Sequence, residues 1–354
     1  MKDLCELCRR PVFFERNRVF RVYRGGKLFH DFFGDDAKDG NYPEEWVASQ
    51  IRALNRVQAA PTEGLSFIEG TEITFSALLE KYKAELLGDT PKFDVLVKLL
   101  DSAIRLPIQA HPDKAYSKKY LHSEYGKTEM WLILQTRPDA CIYFGFKDKI
   151  NKDTFSRLVE KSKTDKDAMV PYLNRIEVSP GDVYLIPAKT VHAIGAGCLL
   201  LEVQEPTDFT IQPEYWCGDY ELNEFEMYLG LKKDVALDCF DYDKFGPEVA
   251  FAAKKQPRTL AQREGYTAEQ LIGAEDTLCF RVFRHSLHRS AVPLVSCPSL
   301  YIVTSGYGSL TGENYARDIR KGDYFFMPAA AKGHYSVHAP GELQLVECAA
   351  PAAR

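Results

Sequence analysis

The chain has 354 residues, a formal net charge of −5 and 45% hydrophobic residues, a composition that is ordinary for a globular protein and argues against disorder. The slightly acidic balance offers no general attraction for nucleic acid. No run approaches the ~18 apolar residues of a membrane span, and the first residues lack the apolar core of a secretion signal. We therefore expect a cytoplasmic protein that binds neither membrane nor nucleic acid.

Nine cysteines, an odd number, are scattered along the chain, and several lie inside apolar runs. This distribution predicts free thiols that act as small hydrophobic residues. Cys5 and Cys8 form a CxxC pair, but zinc would need a second pair and the chain has none. The pair therefore favours a frayed terminus over a metal site.

The N-terminal part of the chain shows both strand and helix signals. Residues 11–33 alternate apolar and basic residues around Gly25-Gly26, which indicates a pair of strands joined by a turn. Residues 64–69 predict another short strand. Apolar residues then recur at helical spacing over residues 75–87, with Thr74 as the cap and Gly88 as the stop.

The apolar run 93–110 reads as β-structure and contains one lysine, Lys98. A buried lysine is costly unless it is paired, so Lys98 either reaches an edge of the sheet or faces a polar cavity. Farther along, residues 153–161 have the pattern of a short amphipathic helix.

Two pairs of polar residues share the spacing of side chains on one face of a strand. Gln109 and His111 are two residues apart, and so are Lys127 and Glu129 at the start of the apolar run TEMWLILQ. Residues i and i+2 of an extended strand point to the same side. Each pair therefore presents two polar groups on one face.

The segment from Ser179 to Glu205 carries the motif Gly-x5-Pro-x4-His, formed by Gly181, Pro187 and His192. The motif predicts two strands joined by a tight loop, with the histidine at the mouth of the loop. This spacing is typical of metal sites in small β-barrels of the cupin type.

A second copy of the motif predicts a second barrel. Residues 320–328 repeat the Gly-Asp turn, the apolar run and the proline, and are followed by His334 and by a strand that contains Glu347. We expect a mainly β fold of two cupin-type barrels (jelly rolls) with short helices and a small helical insertion within residues 213–245.

The two barrels predict two domains with different roles. The first, residues 1–245, is expected to bind the metal and carry the chemistry. The second, residues 246–354, is expected to be a degenerate cupin, because three alanines follow Pro328 where the first copy has its active loop. Residues 254–275 are polar and are interpreted as a linker and return.

If the strands lie as predicted, four side chains converge: Gln109, His111, Glu129 and His192. Two imidazoles, a carboxylate and an amide oxygen suit Zn²⁺ and would also admit Fe²⁺, Mn²⁺ or Co²⁺. The other histidines are not accompanied by further candidate metal ligands. They are interpreted as surface or structural residues: His30, His122, His285, His288, His334 and His338.

Four segments together resemble the type I phosphomannose isomerases, a zinc-dependent double-cupin family. They are IQAHPDK (108–114), GKTEMW (126–131), PGDVYLIPAKTVHAIGAG (180–197) and LLEVQEPTDFT (200–210). The resemblance implies one zinc ion per chain, held by the same four residues, Gln109, His111, Glu129 and His192.

The resemblance also implies an activity, the interconversion of mannose 6-phosphate and fructose 6-phosphate, with a small sugar phosphate as the partner molecule. Lys127 and Glu202 match residues of the family's active site, and either could be the base. Lys98 matches a lysine on the phosphate side. Two positions depart from the family: Gln212 stands where an arginine is usual, and Pro107 stands where a serine is usual.

These departures leave three hypotheses. The first is an isomerase that is slow or altered in substrate. The second is a catalytically silent cupin that binds a metal and a sugar or sugar phosphate. The third is an iron-dependent oxygenase, which Gln109 as a fourth ligand argues against.

Overall fold

The computed structural model describes residues 4–55, 60–296 and 298–351, and these residues are mainly β. The strands are β1 (Val12–Phe13), β2 (Arg18–Val19), β3 (Glu44–Val47), β4 (Leu96–Asp101), β5 (Glu129–Thr136), β6 (Cys141–Phe146), β7 (Leu173–Glu177), β8 (Val183–Ile186), β9 (His192–Ile194), β10 (Cys198–Gln204), β11 (Trp216–Cys217), β12 (Tyr220–Glu221), β13 (Lys254–Lys255), β14 (Arg258–Arg263), β15 (Tyr266–Ile272), β16 (Arg281–Pro293), β17 (Ser299–Gly312), β18 (Tyr315–Arg320), β19 (Tyr324–Met327) and β20 (Tyr335–Ala349).

The helices are short. They are α1 (Leu4–Leu7), α2 (Leu28–Phe33), α3 (Phe75–Lys81), α4 (Lys83–Leu87), α5 (Lys114–Tyr116), α6 (Lys152–Ser162), α7 (Glu224–Tyr228), α8 (Lys233–Leu237) and α9 (Pro247–Ala253), with a π-helical turn at Ser117–Leu121 and 3-10 turns at Val170–Tyr172 and Ala329–Ala331. The predicted amphipathic helix is α6, and the predicted helical insertion is α7 and α8.

Four sheets build the fold of the described residues, and the smallest is the two-stranded pair β11-β12. The central sheet has the strand order β13-β8-β5-β10-β4-β3-β2, and the small sheet has the order β7-β6-β9. The C-terminal sheet has the order β1-β19-β17-β20-β16-β15-β14, with β18 paired to β17. The predicted mainly β class is confirmed.

The central sheet is apolar on both faces. In β10, Leu199 and Leu201 pack into the core shared with the C-terminal sheet, whereas Leu200 packs into the core between the central and small sheets. Side chains alternate along a strand, so Glu202 points to the same side as Leu200. A carboxylate is thereby carried into the space between two sheets.

The two halves of the molecule share core residues and strands. The ring of Phe326, on β19, meets those of Phe75 and Phe93 at centroid distances of 5.0 and 5.1 Å. Strand β1 pairs with β19 in the C-terminal sheet, while β13 pairs with β8 in the central sheet. The domain boundary at residue 245 stays a prediction, and these two strands cross it.

The prediction of a strand pair over residues 11–33 is wrong. The two strands of this segment pair elsewhere, β1 with β19 and β2 with β3, and α2 forms at its end. The buried residues Leu28, Phe29, Phe32 and Phe33 follow helical spacing. The carboxylate of Asp101 accepts hydrogen bonds from the backbone N–H groups of Gly26 and Leu28, at 2.8 and 2.9 Å. These bonds fix the start of the helix directly after the glycines.

Three other expectations also need correction. Residues 64–69 form only isolated bridges, Phe14 to Ile68 and Phe67 to Thr74. Residues 179–205 contain three strands, and β5 lies between β8 and β10, so these two strands are not neighbours. Residues 254–275 contain β13, β14 and β15 instead of a linker.

Two smaller predictions hold. The hydroxyl of Thr74 accepts a hydrogen bond from Ala77 N and caps α3, and Gly88 follows α4, with an interruption at Tyr82. The eight cysteines within the described residues are free thiols, and Cys297 lies outside those residues. The expected frayed terminus is wrong for Cys8, which is buried directly after α1.

Of the helices in the described part of the chain, none combines the length and the apolar character needed to cross a bilayer.

Candidate metal centre and active site

The register of the central sheet places several functional side chains side by side on neighbouring strands. Glu202 on β10 lies opposite Lys98 on β4 and opposite Trp131 on β5. Lys98 in turn lies opposite Trp46 on β3. Directly opposed residues on neighbouring strands are close enough for their side chains to touch, so Glu202 has a cation on one side and an indole on the other.

The two histidines are brought together by the backbone. Gln109 and His192 exchange two N–H to O=C hydrogen bonds of 2.9 Å, which fixes the segment that carries His111 against β9. The rings of His111 and His192 then lie 4.8 Å apart. Glu129 approaches both, with 3.2 Å from Oε2 to Nε2 of His111 and 3.5 Å from Oε1 to Nε2 of His192.

Backbone carbonyls set the tautomers of both histidines. Nδ1 of His111 lies 2.9 Å from the carbonyl oxygen of Phe209, and Nδ1 of His192 lies 2.8 Å from that of Thr190. A carbonyl oxygen can only accept, so each Nδ1 carries the proton and each Nε2 presents a lone pair toward Glu129. This arrangement is the one that orients a histidine as a metal ligand.

Burial keeps both rings neutral. Desolvation, followed by the charge of Lys127, lowers the pKa of His111 to about 3. Desolvation also lowers the pKa of His192. A metal ion needs the neutral imidazole, and both pKa shifts favour that form.

One buried ligand atom of this cluster, Nε2 of His192, makes no hydrogen bond to the described residues. Such atoms are rare in folded proteins because an unpaired buried polar group is costly. The ligand atoms of His111, Glu129 and His192 lie within 4.8 Å of one another. The residues therefore fit a divalent cation, which would give Nε2 of His192 a partner.

Lys127 lies against the same ligand atoms. Its Nζ is 3.0 Å from Nε2 of His111 and 3.1 Å from Oε2 of Glu129. Burial alone would raise the pKa of Glu129, but the ammonium of Lys127 and the neighbouring imidazoles lower it well below the ordinary value. Glu129 is therefore an ionised carboxylate, as a metal ligand must be.

A second charged cluster lies next to the first. Arg21 contacts Glu44 through Nε at 3.0 Å and Asp208 through Nη2 at 2.9 Å. Nζ of Lys98 lies 3.3 Å from Glu202, 3.6 Å from Asp208 and 3.8 Å from Glu44. Burial opposes the charge of Lys98, but the three carboxylates together raise its pKa.

The pKa of Glu202 is raised, whereas that of Glu129 is lowered. Burial, followed by the negative charge of Glu129, raises the pKa of Glu202 above its ordinary value. Its Oε2 accepts a hydrogen bond of 3.2 Å from Nε1 of Trp131, while Lys98 faces Oε1. A buried carboxyl with a raised pKa is the type of group that serves as a general base near neutral pH.

These clusters surround a cavity of about 270 Å³. The predicted site residues Lys98, Gln109, Lys127, Glu202 and Gln212 all contribute to its wall. The predicted ligands His111, Glu129 and His192 lie behind Lys127. The structure thus brings all the sequence-predicted site residues into one region of the molecule.

Besides lining the cavity, Gln212 makes hydrogen bonds to α7 that the sequence does not predict. Its Nε2 donates a 3.0 Å hydrogen bond to the carbonyl of Glu226, and its backbone N–H donates to the carbonyl of Met227. Both acceptors belong to α7. Gln212 therefore braces the helix that forms one side of the cavity.

Sequence reasoning missed Arg21, Glu44, Asp208 and Trp131. Glu44 carried a usable signal, because Glu44 and Trp46 have the two-residue spacing that puts both on one face of a strand, and Nε1 of Trp46 donates to Glu44 at 2.6 Å. Arg21 and Asp208 are 187 residues apart, and no local pattern relates them.

His285, which the sequence analysis interprets as a surface or structural residue, has polar neighbours in the C-terminal sheet. Its Nε2 lies 2.9 Å from Oε2 of Glu347, and its Nδ1 lies 2.9 Å from the hydroxyl of Tyr266. Tyr301 and Ser299 also donate to Glu347. The polar atoms in this network satisfy one another, so it is a structural feature of the C-terminal sheet.

No protein-family model matches the chain. Among characterised proteins, the mannose-6-phosphate isomerase ManA of Bacillus subtilis is 31% identical over 326 residues, which cover 90% of this chain and 93% of that protein. The crystal structure of the mannose 6-phosphate isomerase from Bacillus subtilis superposes with a TM-score of 0.75 at 24% identity and covers 96% of this chain and 99% of that chain.

A further solved structure, a mannose 6-phosphate isomerase bound with zinc and yttrium, has a TM-score of 0.68 at 14% identity and covers 96% of this chain and 99% of that chain. The two structures confirm the predicted fold. The match to ManA extends over nearly the full length of both sequences. This chain therefore belongs to the type I phosphomannose isomerase family.

Proposed function

We propose that this protein is an aldose–ketose isomerase that interconverts mannose 6-phosphate and fructose 6-phosphate. One observation carries the proposal: a buried cluster of His111, Glu129 and His192 adjoins Lys127 and the cavity that contains Glu202. The family supports the same reaction, because the relatives described above are named for it.

Zinc is the proposed metal, with one ion per chain. His111, Glu129, His192 and the amide oxygen of Gln109 offer a borderline donor set that zinc accepts. A structural neighbour with bound zinc supports this choice. A bound divalent ion would polarise the sugar carbonyl and stabilise the negative charge of the enediol.

Glu202 is the proposed base. The isomerisation removes a proton from C2 of the aldose and returns one to C1, so a single carboxyl group can carry the proton between adjacent carbons. The raised pKa of Glu202 improves its match to neutral pH. Trp131 and Lys98 contact its two oxygens and hold it in one orientation.

Lys127 and Gln212 are proposed to contact the substrate oxygens. Lys127 is 4% exposed and presents its ammonium beside the metal ligands, where it can donate to an oxygen that gains negative charge. Gln212 commits its Nε2 to α7, which leaves its amide oxygen for a sugar hydroxyl. Lys98 contributes through the three carboxylates that it holds in place.

The test is conversion of mannose 6-phosphate to fructose 6-phosphate by purified protein with added Zn²⁺. We expect turnover together with one zinc ion per chain by elemental analysis. A His111→Ala variant should lose both the metal and the activity. No conversion by wild-type protein that holds one zinc ion per chain would contradict the proposal.

The alternative of a catalytically silent sugar-binding cupin is not favoured. It rests on Gln212 and Pro107, but the metal cluster, the perturbed Glu202 and the family all point to catalysis. A protein that bound the sugar phosphate without converting it would reinstate this alternative.

A further inference from the structure

Two of the proposed metal ligands lie on the short segment 109–111, which belongs to none of the strands named above. On one side of the segment, Gln109 pairs with His192 of β9. On the other side, Ala110 and Ile211 exchange two N–H to O=C hydrogen bonds of 2.9 and 3.0 Å. The position of the segment between these neighbours decides where its two ligands can meet a metal ion.

The backbone pairing on the second side stops at Pro213. The antiparallel register of Ala110 and Ile211 would bring Ile108 opposite this proline. Because proline has no N–H group, the two residues cannot exchange a pair of bonds. The N–H group of Ile108 donates instead to Oε2 of Glu214 at 2.7 Å. A carboxylate therefore supplies the acceptor one residue before Gln109.

A forked ion pair holds this carboxylate in place. Nη2 of Arg105 lies 2.7 Å from Oε1 of Glu214, and Nη1 lies 2.8 Å from Oε2. The side chain of Glu214 is fully buried, whereas that of Arg105 is 19% exposed. A buried carboxylate is costly without a cation, and two parallel bonds to a guanidinium fix its direction. Arg105 thereby keeps Oε2 pointed at Ile108.

The same ion pair joins two parts of the cavity wall. Nη1 of Arg105 also donates to the carbonyl of Leu106 at 3.0 Å, and the backbone N–H of Glu214 donates to the carbonyl of Gln212 at 2.8 Å. Leu106, Gln109 and Gln212 all line the cavity. Arg105 and Glu214 are 109 residues apart in the sequence, so the pair connects segments that only the tertiary fold brings together.

We propose that Arg105 and Glu214 are positioning residues for the metal centre. Their ion pair holds the backbone of Ile108, and this keeps Gln109 in place as the fourth ligand. The proposal rests on the proposed zinc site and adds the contact that supports one of its ligands. Loss of such a supporting contact usually lowers metal affinity by about 10–100-fold.

The test is the zinc dissociation constant of the folded protein, measured by competition with a chelator of known affinity. Glu214→Ala removes the acceptor of Ile108, so its dissociation constant should rise by about 10–100-fold. Glu214→Gln keeps one oxygen for Ile108 and should bind zinc more tightly than Glu214→Ala. A rise of less than about tenfold in Glu214→Ala would overturn the inference and leave the zinc site intact. A wild-type protein that binds no zinc would overturn both.

Glu269→Ala is the matched control, because Glu269 forms a partly buried ion pair of 2.8 Å with Arg284 in the C-terminal sheet. Loss of a purely structural pair destabilises the metal-free and metal-bound protein alike, so the zinc dissociation constant of this variant should not change. Equal rises in Glu269→Ala and Glu214→Ala would overturn the inference.

Variants of Arg105 provide a second test that does not depend on the folding of Glu214→Ala. Arg105→Met leaves the buried carboxylate without its cation, and its zinc dissociation constant should rise by about tenfold or more. Arg105→Lys keeps the charge without the fork, so its value should lie between those of Arg105→Met and the wild type. Wild-type zinc affinity in Arg105→Met would overturn the inference.

Discussion

Glu202 is the residue whose protonation we expect to control the rate at low pH. Because burial and Glu129 raise its pKa, the acid limb of kcat/KM should lie above pH 4.5, the ordinary value of a glutamate. A Glu202→Gln variant should lose this limb and lower kcat by about 10²–10⁴-fold, the usual contribution of a general base. Its zinc content should equal that of the wild-type protein.

A pH–rate profile and elemental analysis check this prediction. If Glu202→Gln kept most of the wild-type kcat, the assignment of Glu202 as the base would be contradicted. An exposed glutamate outside the cavity provides the control, and Glu80→Gln should leave both the profile and the zinc content unchanged.

Glu44 lines the active-site cavity, and its ion pairs also contribute to the stability of the folded protein. Burial opposes its charge, but Arg21 and Lys98 lower its pKa below 4.5. The ion pairs therefore contribute their full stability above pH 4.5, and this contribution is lost as the pH falls toward the lowered pKa. Glu44→Gln should reduce the free energy of unfolding by about 3–5 kcal/mol at pH 7, the range for breaking a buried pair.

Urea unfolding at several pH values measures this effect. The difference between wild type and Glu44→Gln should shrink as the pH falls below 4.5. A difference that stays constant with pH would mean that ionisation of Glu44 is not the source. Glu80→Gln again serves as the control, since Glu80 is exposed.

Functional residues could be predicted where the evidence for them lies in neighbouring positions of the sequence. Gln109, His111 and Glu129 were found because spacing by two puts side chains on one face of a strand. Lys98 was predictable because a lysine inside an apolar run must be paired or reach solvent. Arg21 was not found, because its partners come from distant parts of the chain and only the tertiary fold brings them together.

At the scale of elements, α7 forms a small part of the cavity wall and is stabilised at its N-terminus by a capping box. The side chain of Asn223 accepts hydrogen bonds from Phe225 N and Glu226 N, and Glu226 accepts one from Asn223 N. Removing this cap should destabilise the helix by about 1 kcal/mol. Asn223→Ala should therefore raise KM by about fivefold, since ~1.4 kcal/mol corresponds to tenfold, with a smaller effect on kcat.

Steady-state kinetics check this prediction, together with hydrogen exchange over residues 212–231. Asn151→Ala is a matched control, because Asn151 caps α6 through the same kind of bond to Thr154 N and does not line the cavity. Equal changes in KM for the two variants would show that the effect is not specific to α7.

Elements were predictable where one signal dominated. Thr74 and Gly88 marked the ends of a helix correctly because capping is a local property. Helix α2 was missed because Gly25-Gly26 suggested a hairpin, whereas the glycines serve the close approach to Asp101. The strand β14 is exposed along its whole length, so it lacks the apolar alternation that identifies a strand.

At the scale of the molecule, the shared core couples the two halves. Phe326 is fully buried between Phe75 and Phe93. Phe326→Ala should lower the free energy of unfolding by about 3–5 kcal/mol. Because the core is shared, the loss should appear in both halves, although the substitution lies in the C-terminal sheet.

Tryptophan fluorescence and far-UV circular dichroism distinguish the outcomes. The three tryptophans, Trp46, Trp131 and Trp216, all precede residue 245, whereas circular dichroism reports on the whole chain. Both transitions should shift by the same amount. A fluorescence transition that stays in place would show that the halves unfold independently, and Tyr307→Ala, at a position 61% exposed, should shift neither.

The pairing of β1 with β19 has a consequence for synthesis on the ribosome. Val12 and Phe13 leave the exit tunnel early, but their partners Phe326 and Phe325 are made about 310 residues later. At roughly 5–20 residues per second, β1 waits about 15–60 s for its partner. During that interval its apolar edge is open to chaperones and to other nascent chains, so the yield of folded protein should depend on how fast the intervening residues are translated.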